Sequence, residues 1–407
     1  MHIHLPITAL LCVQIEKGKS MKALSSFLLA MLPLVSAAQT GSCRPETEAF
    51  SLPLRGTSSR AEILMPPSQR PRAVMVMIHG SDVADLDNSV VGAGGAVIST
   101  PLKDVAIAMA CAGIATIRYD KRFVSGPSSV DRAEFDKADL RDFLADAELA
   151  LDNAKTRPAL HSIPEFVFGW SEGTTVAAAL AVKRPSIRAA ILQAPVLPPF
   201  AQTLPIDFPR VGAPYLMRYA KDGQVDAAAI ARAGEGPGGV IAQIYVNMFK
   251  GFAPGERINP LLDTNHDGAI DILHEAGPVI AGWFADVPNG GLGIYASAVA
   301  LPGVRAQLPN LKIPLLIVQG DSDGAIDEQD ARRLRDERRP GVTVKLYPGL
   351  GHTLGPSASP IEDHFLPIAP EPLRDMVDWA VQIAGLTAGP PTSKQPLRDK
   401  GNTSHHE

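Results

Sequence analysis

The chain has 407 residues, 45% hydrophobic and 20% charged, a composition that excludes an intrinsically disordered protein. Its 38 Lys and Arg against 43 Asp and Glu give a net charge of −5. With no basic block and only 5% aromatic residues, it lacks both the electrostatic footprint and the stacking surface that nucleic-acid binding requires. The 35 Gly and 36 Pro follow no period, which excludes collagen-like and repeat architectures.

Residues 1–38 read as a leader. Met21-Lys22, an apolar stretch from Ala23 to Val35 and the small residues Ser36-Ala37-Ala38 have the basic start, short apolar core and small-residue cut of a secretory signal, with Met21 as the start. That stretch is too short to cross a bilayer. The expected product is exported, periplasmic or secreted, with no transmembrane segment after cleavage. Cys12 falls in the leader, leaving Cys43 and Cys111. An oxidising compartment allows them one disulfide. The competing reading is that Cys111, inside the apolar run Val105–Ala112, is an ordinary buried side chain.

From Phe50 onward strand and helix patterns alternate. Phe50–Leu54 and Ala61–Met65 read as antiparallel edge strands. The apolar runs Val74–His79, Ala115–Tyr119, Glu165–Gly169, Ala189–Ala194, Leu315–Gln319 and Thr343–Tyr347 read as buried parallel strands. Helix-length segments lie between and after them at Pro101–Ala112, Phe135–Lys155, Glu172–Arg184, Glu328–Arg338 and Pro372–Ala384. The alternation predicts an α/β fold: a mostly parallel central sheet with helices on both faces. One interval breaks the rhythm. Residues 198–309 carry no strand pattern and are too long for a loop in a compact domain, so an inserted helical cap is expected there. The core is then 39–197 with 310–388, and 389–407, with His405 and His406, reads as a disordered tail.

Chemistry concentrates at Gly169-Trp170-Ser171-Glu172-Gly173, a G-x-S-x-G between an apolar strand and an Ala-rich helix. A serine on such a turn needs small residues two before and two after it, because strand and helix backbones crowd together. A serine hydroxyl needs a base, and the base an orienting carboxylate. His352, in Gly349-Leu350-Gly351-His352, and Asp323, in Gly320-Asp321-Ser322-Asp323, each follow a predicted strand; His364 and Asp321 are their nearest rivals. The expected oxyanion donors are the backbone amides of Glu172 and Ser81, the latter in His79-Gly80-Ser81-Asp82. His79 itself reads as structural.

This set resembles the α/β-hydrolase superfamily of serine hydrolases from about Val74 to Ala384, with the cap inserted after the sixth core strand. Arg118-Tyr119-Asp120-Lys121-Arg122 resembles the RYDKRG turn of an esterase, dienelactone-hydrolase-like and serine-aminopeptidase-like subset. Phe123 stands where that turn usually has glycine, and Gly80-Ser81-Asp82-Val83 lacks a frequent Gly-Pro. The resemblance implies a triad of Ser171, Asp323 and His352 and no organic cofactor. The expected substrate is a small-molecule carboxylic ester, with an amide, cleaved by an aminopeptidase-like peptidase, as the runner-up. A non-catalytic binding protein on the same fold is the third reading.

A second constellation lies in the cap. Asp263-Thr264-Asn265-His266-Asp267-Gly268-Ala269-Ile270-Asp271 is similar to the calcium loops of EF-hand and dockerin-type repeats. The expected ligands of a structural Ca²⁺ are Asp263, Asn265, Asp267, the Ala269 carbonyl and Asp271. The twelfth position holds His274 where a carboxylate is usual, and Glu275 follows it.

Overall fold

The computed structural model describes residues 43–387, except 82, 93–94, 128, 252, 254 and 290–292. The leader 1–38 and the tail 389–407 lie outside the described residues. Eight strands form one sheet: β1 (Glu46–Leu54), β2 (Thr57–Met65), β3 (Ala73–Ile78), β4 (Ile114–Tyr119), β5 (Glu165–Trp170), β6 (Ile187–Gln193), β7 (Leu315–Gly320) and β8 (Val342–Tyr347). Their order across the sheet is β1-β2-β4-β3-β5-β6-β7-β8. β1 pairs antiparallel with β2, and β2 antiparallel with β4; every later neighbour is parallel. β3, β4, β5 and β7 are buried at every residue, which is why they appear in the sequence as mostly apolar runs rather than alternating ones, interrupted in β4 by Thr116 and Arg118.

The helices α1 (Pro101–Cys111), α2 (Leu140–Lys155) and α3 (Gly173–Lys183) follow β3, β4 and β5. Beyond the last two strands come α7 (Gln329–Asp336) and α8 (Pro370–Thr387). α1 packs with α8 and α2 with α3, each pair against the sheet. The helix expected over 135–155 is broken. A short turn at Arg132–Phe135 is capped by Asp131, and Asp139 restarts the helix by accepting from the Arg141 and Asp142 amides in a reciprocal capping box.

Between β6 and β7 the chain folds into α4 (Ala227–Glu235), α5 (Val240–Lys250), α6 (Gly277–Asp286) and several single turns. A two-stranded ribbon pairs Gln224–Asp226 with Ala269–Asp271, an element that the sequence reading placed nowhere. The buried-thiol reading of Cys111 is corrected: Cys43 and Cys111 form a disulfide with their Cα atoms 5.9 Å apart, tying the segment before β1 to the end of α1. Among the described residues no helix is long and apolar enough to cross a membrane.

Candidate active site

Ser171 follows β5 directly and takes φ +53°, a left-handed conformation that costs a non-glycine residue roughly 1–2 kcal/mol. The turn is possible only because its flanking positions are glycine. A Cβ on Gly169 would lie 2.5 Å from the Gly173 carbonyl oxygen, and one on Gly173 would lie 2.2 Å from the His79 oxygen. The Ser171 amide donates to the Gln193 carbonyl of β6 at 2.9 Å, and its own carbonyl accepts from the Thr174 hydroxyl at 2.6 Å. The serine is thereby fixed at the carboxyl end of the sheet, where open α/β sheets place their ligands.

The loops after β7 and β8 bring Asp323 and His352 together. His352 Nδ1 lies 3.0 and 3.1 Å from the two carboxylate oxygens of Asp323, and both residues are buried. With Nδ1–H donating to the carboxylate, Nε2 is the ring nitrogen left to accept a proton. Asp323 is held in turn: its Oδ1 accepts from the Ala325 and Ile326 amides, each at 2.8 Å, and its Oδ2 from Gln319 at 3.3 Å. The His352 carbonyl accepts from Trp170 Nε1 at 3.1 Å, and the Trp170 and His352 rings are 5.0 Å apart. The residue before the serine thus anchors the His352 loop. Among the described residues no hydrogen bond joins Ser171 to His352; such bonds commonly tighten only when substrate is bound.

The rivals are elsewhere. His364 is exposed, and Asp321 accepts from the Gly349 amide and the Ser322 hydroxyl, which makes it a turn-former. Asp363, which the sequence reading passed over, is a buried carboxylate behind the pair. Its Oδ2 accepts from the His352 amide at 2.7 Å and from the Gly324 amide at 2.9 Å, and its Oδ1 from Phe365 at 3.2 Å. It therefore ties the Asp323 loop to the His352 loop. Burial, followed by the neighbouring Asp323 charge, pushes its carboxyl above the usual range. From the inserted segment, Arg210 donates to the Asp323 and Gly324 carbonyls at 2.6 and 2.7 Å.

The two expected oxyanion donors flank this site. The Glu172 amide stands at the start of α3, where helical geometry leaves N–H groups unpaired. The Ser81 amide belongs to the loop after β3. A Cβ on Gly80 would lie 3.5 Å from the Ser171 Cβ, so that loop runs beside Ser171. His79 is structural, as its position suggests. Its Nε2 donates to the Tyr119 carbonyl at 2.5 Å, and burial, together with the Lys121 charge, pushes its pKa down to about 3. In the neighbouring turn Arg118 pairs with Glu62 and Asp87, and Asp120 pairs with Arg60. Phe123 has φ +64°, so the backbone keeps the left-handed conformation that glycine would adopt there without strain.

The cap loop folds around its own hydrogen bonds. Asp263 accepts from the Asp267 and Gly268 amides at 3.2 and 3.1 Å, Asn265 Oδ1 from Asp267 at 2.8 Å, and Asp267 Oδ1 from Ala269 at 3.0 Å. Asp271 instead caps the following turn through the Leu273 and His274 amides. Glu275 takes the Thr264, Asn265 and Asp271 amides. The five expected calcium ligands thus lie within one nine-residue loop, but the Asp271 carboxylate is engaged by the Leu273 and His274 amides. Among the described residues no three His, Cys, Asp or Glu side chains converge as a cation site.

Residues 89–243 match the family described as Serine aminopeptidase, S33, a span that includes the Ser171 turn and ends before Asp323 and His352. No curated protein matches the chain. Three solved structures are similar over most of their length. Est1E from Butyrivibrio proteoclasticus has a TM-score of 0.44 at 15% identity, covering 83% of this chain and 99% of that one. A proline iminopeptidase from Mycobacterium smegmatis scores 0.47 at 14%, covering 83% and 98%. The esterase domain of a Rhodothermus marinus protein scores 0.42 at 14%, covering 83% and 99%. By strand order, by the serine on its strand-to-helix turn and by the cap inserted after β6, the chain has the α/β-hydrolase fold.

Proposed function

We propose that the protein is an exported serine hydrolase that cleaves carboxylic esters through an acyl-enzyme intermediate. The observation that carries this reading is the buried Asp323–His352 pair, anchored through Trp170 to the strained turn that presents Ser171. In the first half-reaction Ser171 Oγ attacks the ester carbonyl while His352 Nε2 takes its proton, and Asp323 stabilises the imidazolium without being protonated. The carbonyl oxygen, now negative, accepts from the Ser81 and Glu172 amides. Collapse expels the alcohol, which receives the proton from His352. Water then repeats the sequence on the acyl-serine and releases the acid, with His352 as the base again.

A peptidase of the aminopeptidase-like kind is the second reading, favoured by the family match over 89–243. Turnover of nitrophenyl esters against amino-acid nitroanilides, with Ser171→Ala as the control, separates the two. A protein that neither turns over nor reacts with a serine probe would be the non-catalytic binder. Export is supported by the signal-like leader and by the Cys43–Cys111 disulfide, a bond that persists in oxidising compartments. Calcium in the cap loop stays a proposal about stability. Its support is the Asp263–Asn265–Asp267 arrangement around Gly268, at φ +84°, and no step of the chemistry passes through it.

A further inference from the structure

Two buried charged side chains beside the nucleophile have no part in the triad. Lys121, just past β4, and Glu172, directly after Ser171, are 4% and 1% exposed. Lys121 Nζ donates to the Gly80 carbonyl at 2.6 Å and lies 3.3 Å from Glu172 Oε1, with its ammonium 4.5 Å from the centre of the Phe143 ring. Glu172 Oε2 accepts a short hydrogen bond from the hydroxyl of Tyr295, which belongs to the segment inserted between β6 and β7. The Tyr295 ring packs 4.6 Å from that of Phe200 in the same segment.

The placement of these contacts matters more than their strength. In a trans peptide the C=O and the N–H point in opposite directions. A lysine that holds the Gly80 carbonyl therefore fixes the direction of the Ser81 N–H, turning it away from the ammonium. The same lysine pairs with the side chain of Glu172, whose backbone N–H is the second donor. One ion pair thus holds the Gly80–Ser81 peptide directly and, through the Glu172 side chain, the residue that carries the second donor. Ion pairs this deeply buried are weak evidence for stability, because desolvation offsets their attraction. Their effect is instead to hold dipoles in place before charge develops, which is the arrangement that lowers a barrier.

We infer that Lys121 and Glu172 are positioning residues for the oxyanion hole, and that Tyr295 makes their geometry depend on how the inserted segment is seated. The inference rests on the serine-hydrolase reading above. It predicts that an intact triad works poorly when the inserted segment is displaced, because the donors then lose their alignment.

The test compares Lys121→Met, Glu172→Gln and Tyr295→Phe with the wild type. For each, kcat and KM are measured on a nitrophenyl ester, together with the inhibition constant of an arylboronate, which forms a tetrahedral adduct on the serine. Lys121→Met is expected to lower kcat about 10- to 100-fold, below the loss of a whole oxyanion donor, with KM changed less than about twofold. The boronate should weaken by the same factor as kcat/KM falls, a proportionality that general loosening of the fold does not produce. Tyr295→Phe keeps the ring and removes only the hydroxyl, so it decides the matter where Lys121→Met does not fold; about a 3- to 10-fold loss with the same proportionality is expected. Wild-type kcat in Tyr295→Phe and Glu172→Gln, or a loss of kcat with unchanged boronate affinity, overturns the inference. Failure of the underlying reading is seen separately: the wild type itself then neither hydrolyses esters nor binds the boronate.

Discussion

Removing Asp363 is the perturbation that most sharply separates a designed site from a chance meeting of three residues. Asp363→Ala leaves the buried amides of His352 and Gly324 without their acceptor. An unsatisfied buried donor costs about 1–3 kcal/mol, so the pair is worth about 2–6 kcal/mol. Removing a carboxylate that burial already disfavours returns part of this, and a net loss of about 2–4 kcal/mol is expected. The catalytic cost follows from geometry. His352 and the Asp323 loop are no longer tied together, and a displacement of about 1 Å in such a site can cost 10²-fold. We expect kcat to fall about 10- to 100-fold when normalised to serines titrated with a fluorophosphonate, with Asp363→Asn, which keeps one acceptor oxygen, falling between. Urea unfolding gives the stability and ester turnover at low temperature the rate. A variant within about 0.5 kcal/mol and twofold of wild type on both scales would refute the argument.

Three further outcomes are expected. His79, held neutral in the fold with its pKa near 3, protonates near 6.5 when unfolded, so the stability it confers is complete above that pH and is lost as pH falls toward 3. At pH 5 the loss should reach about 2 kcal/mol, and urea unfolding of His79→Gln between pH 7 and 5 should lack that component. The Cys43–Cys111 bond closes a loop of sequence separation 68, so Cys43→Ser with Cys111→Ala, or a reductant, should cost about 2–4 kcal/mol; equal melting of oxidised and reduced protein would contradict it. Calcium at a hundredfold excess over its Kd should stabilise the cap by about 2.7 kcal/mol and leave kcat nearly unchanged, and melting curves that coincide in calcium and in chelator would show that the loop is a self-satisfied polar turn.

Most parallel strands were legible because burial on both faces leaves an apolar run; β8, expected to be buried, is instead an edge strand whose residues before Tyr347 are half-buried or exposed. The Ser171 turn was legible because two glycines are forced by backbone crowding at Gly169 and Gly173. Asp323 and His352 were legible as residues that follow strands on Gly-flanked loops. Asp363 was not: its role comes from backbone amides at Gly324 and His352, contacts that no local pattern announces. The disulfide was legible only as one of two readings, since spacing along the chain says nothing of the 5.9 Å between its Cα atoms. Lys121 was visible only as part of a turn, because its meaning lies in the carbonyl of Gly80, on a different loop. The break before α2 did leave a trace, Asp139 and Asp142 at capping-box spacing, which the continuity of apolar positions masked. The ribbon strands at Gln224–Asp226 and Ala269–Asp271 are three residues each, too short for alternation to register.

The central claim is that Ser171 is the nucleophile, and active-site labelling tests it most directly. Native protein is treated with a fluorophosphonate, digested, and the modified peptide is identified by mass spectrometry alongside Ser171→Ala. The account predicts a single adduct on the peptide that carries Ser171, loss of ester turnover in step with labelling, and neither label nor turnover in Ser171→Ala while its melting temperature is kept. Ester turnover that persists in Ser171→Ala, or an adduct on another residue, would contradict it.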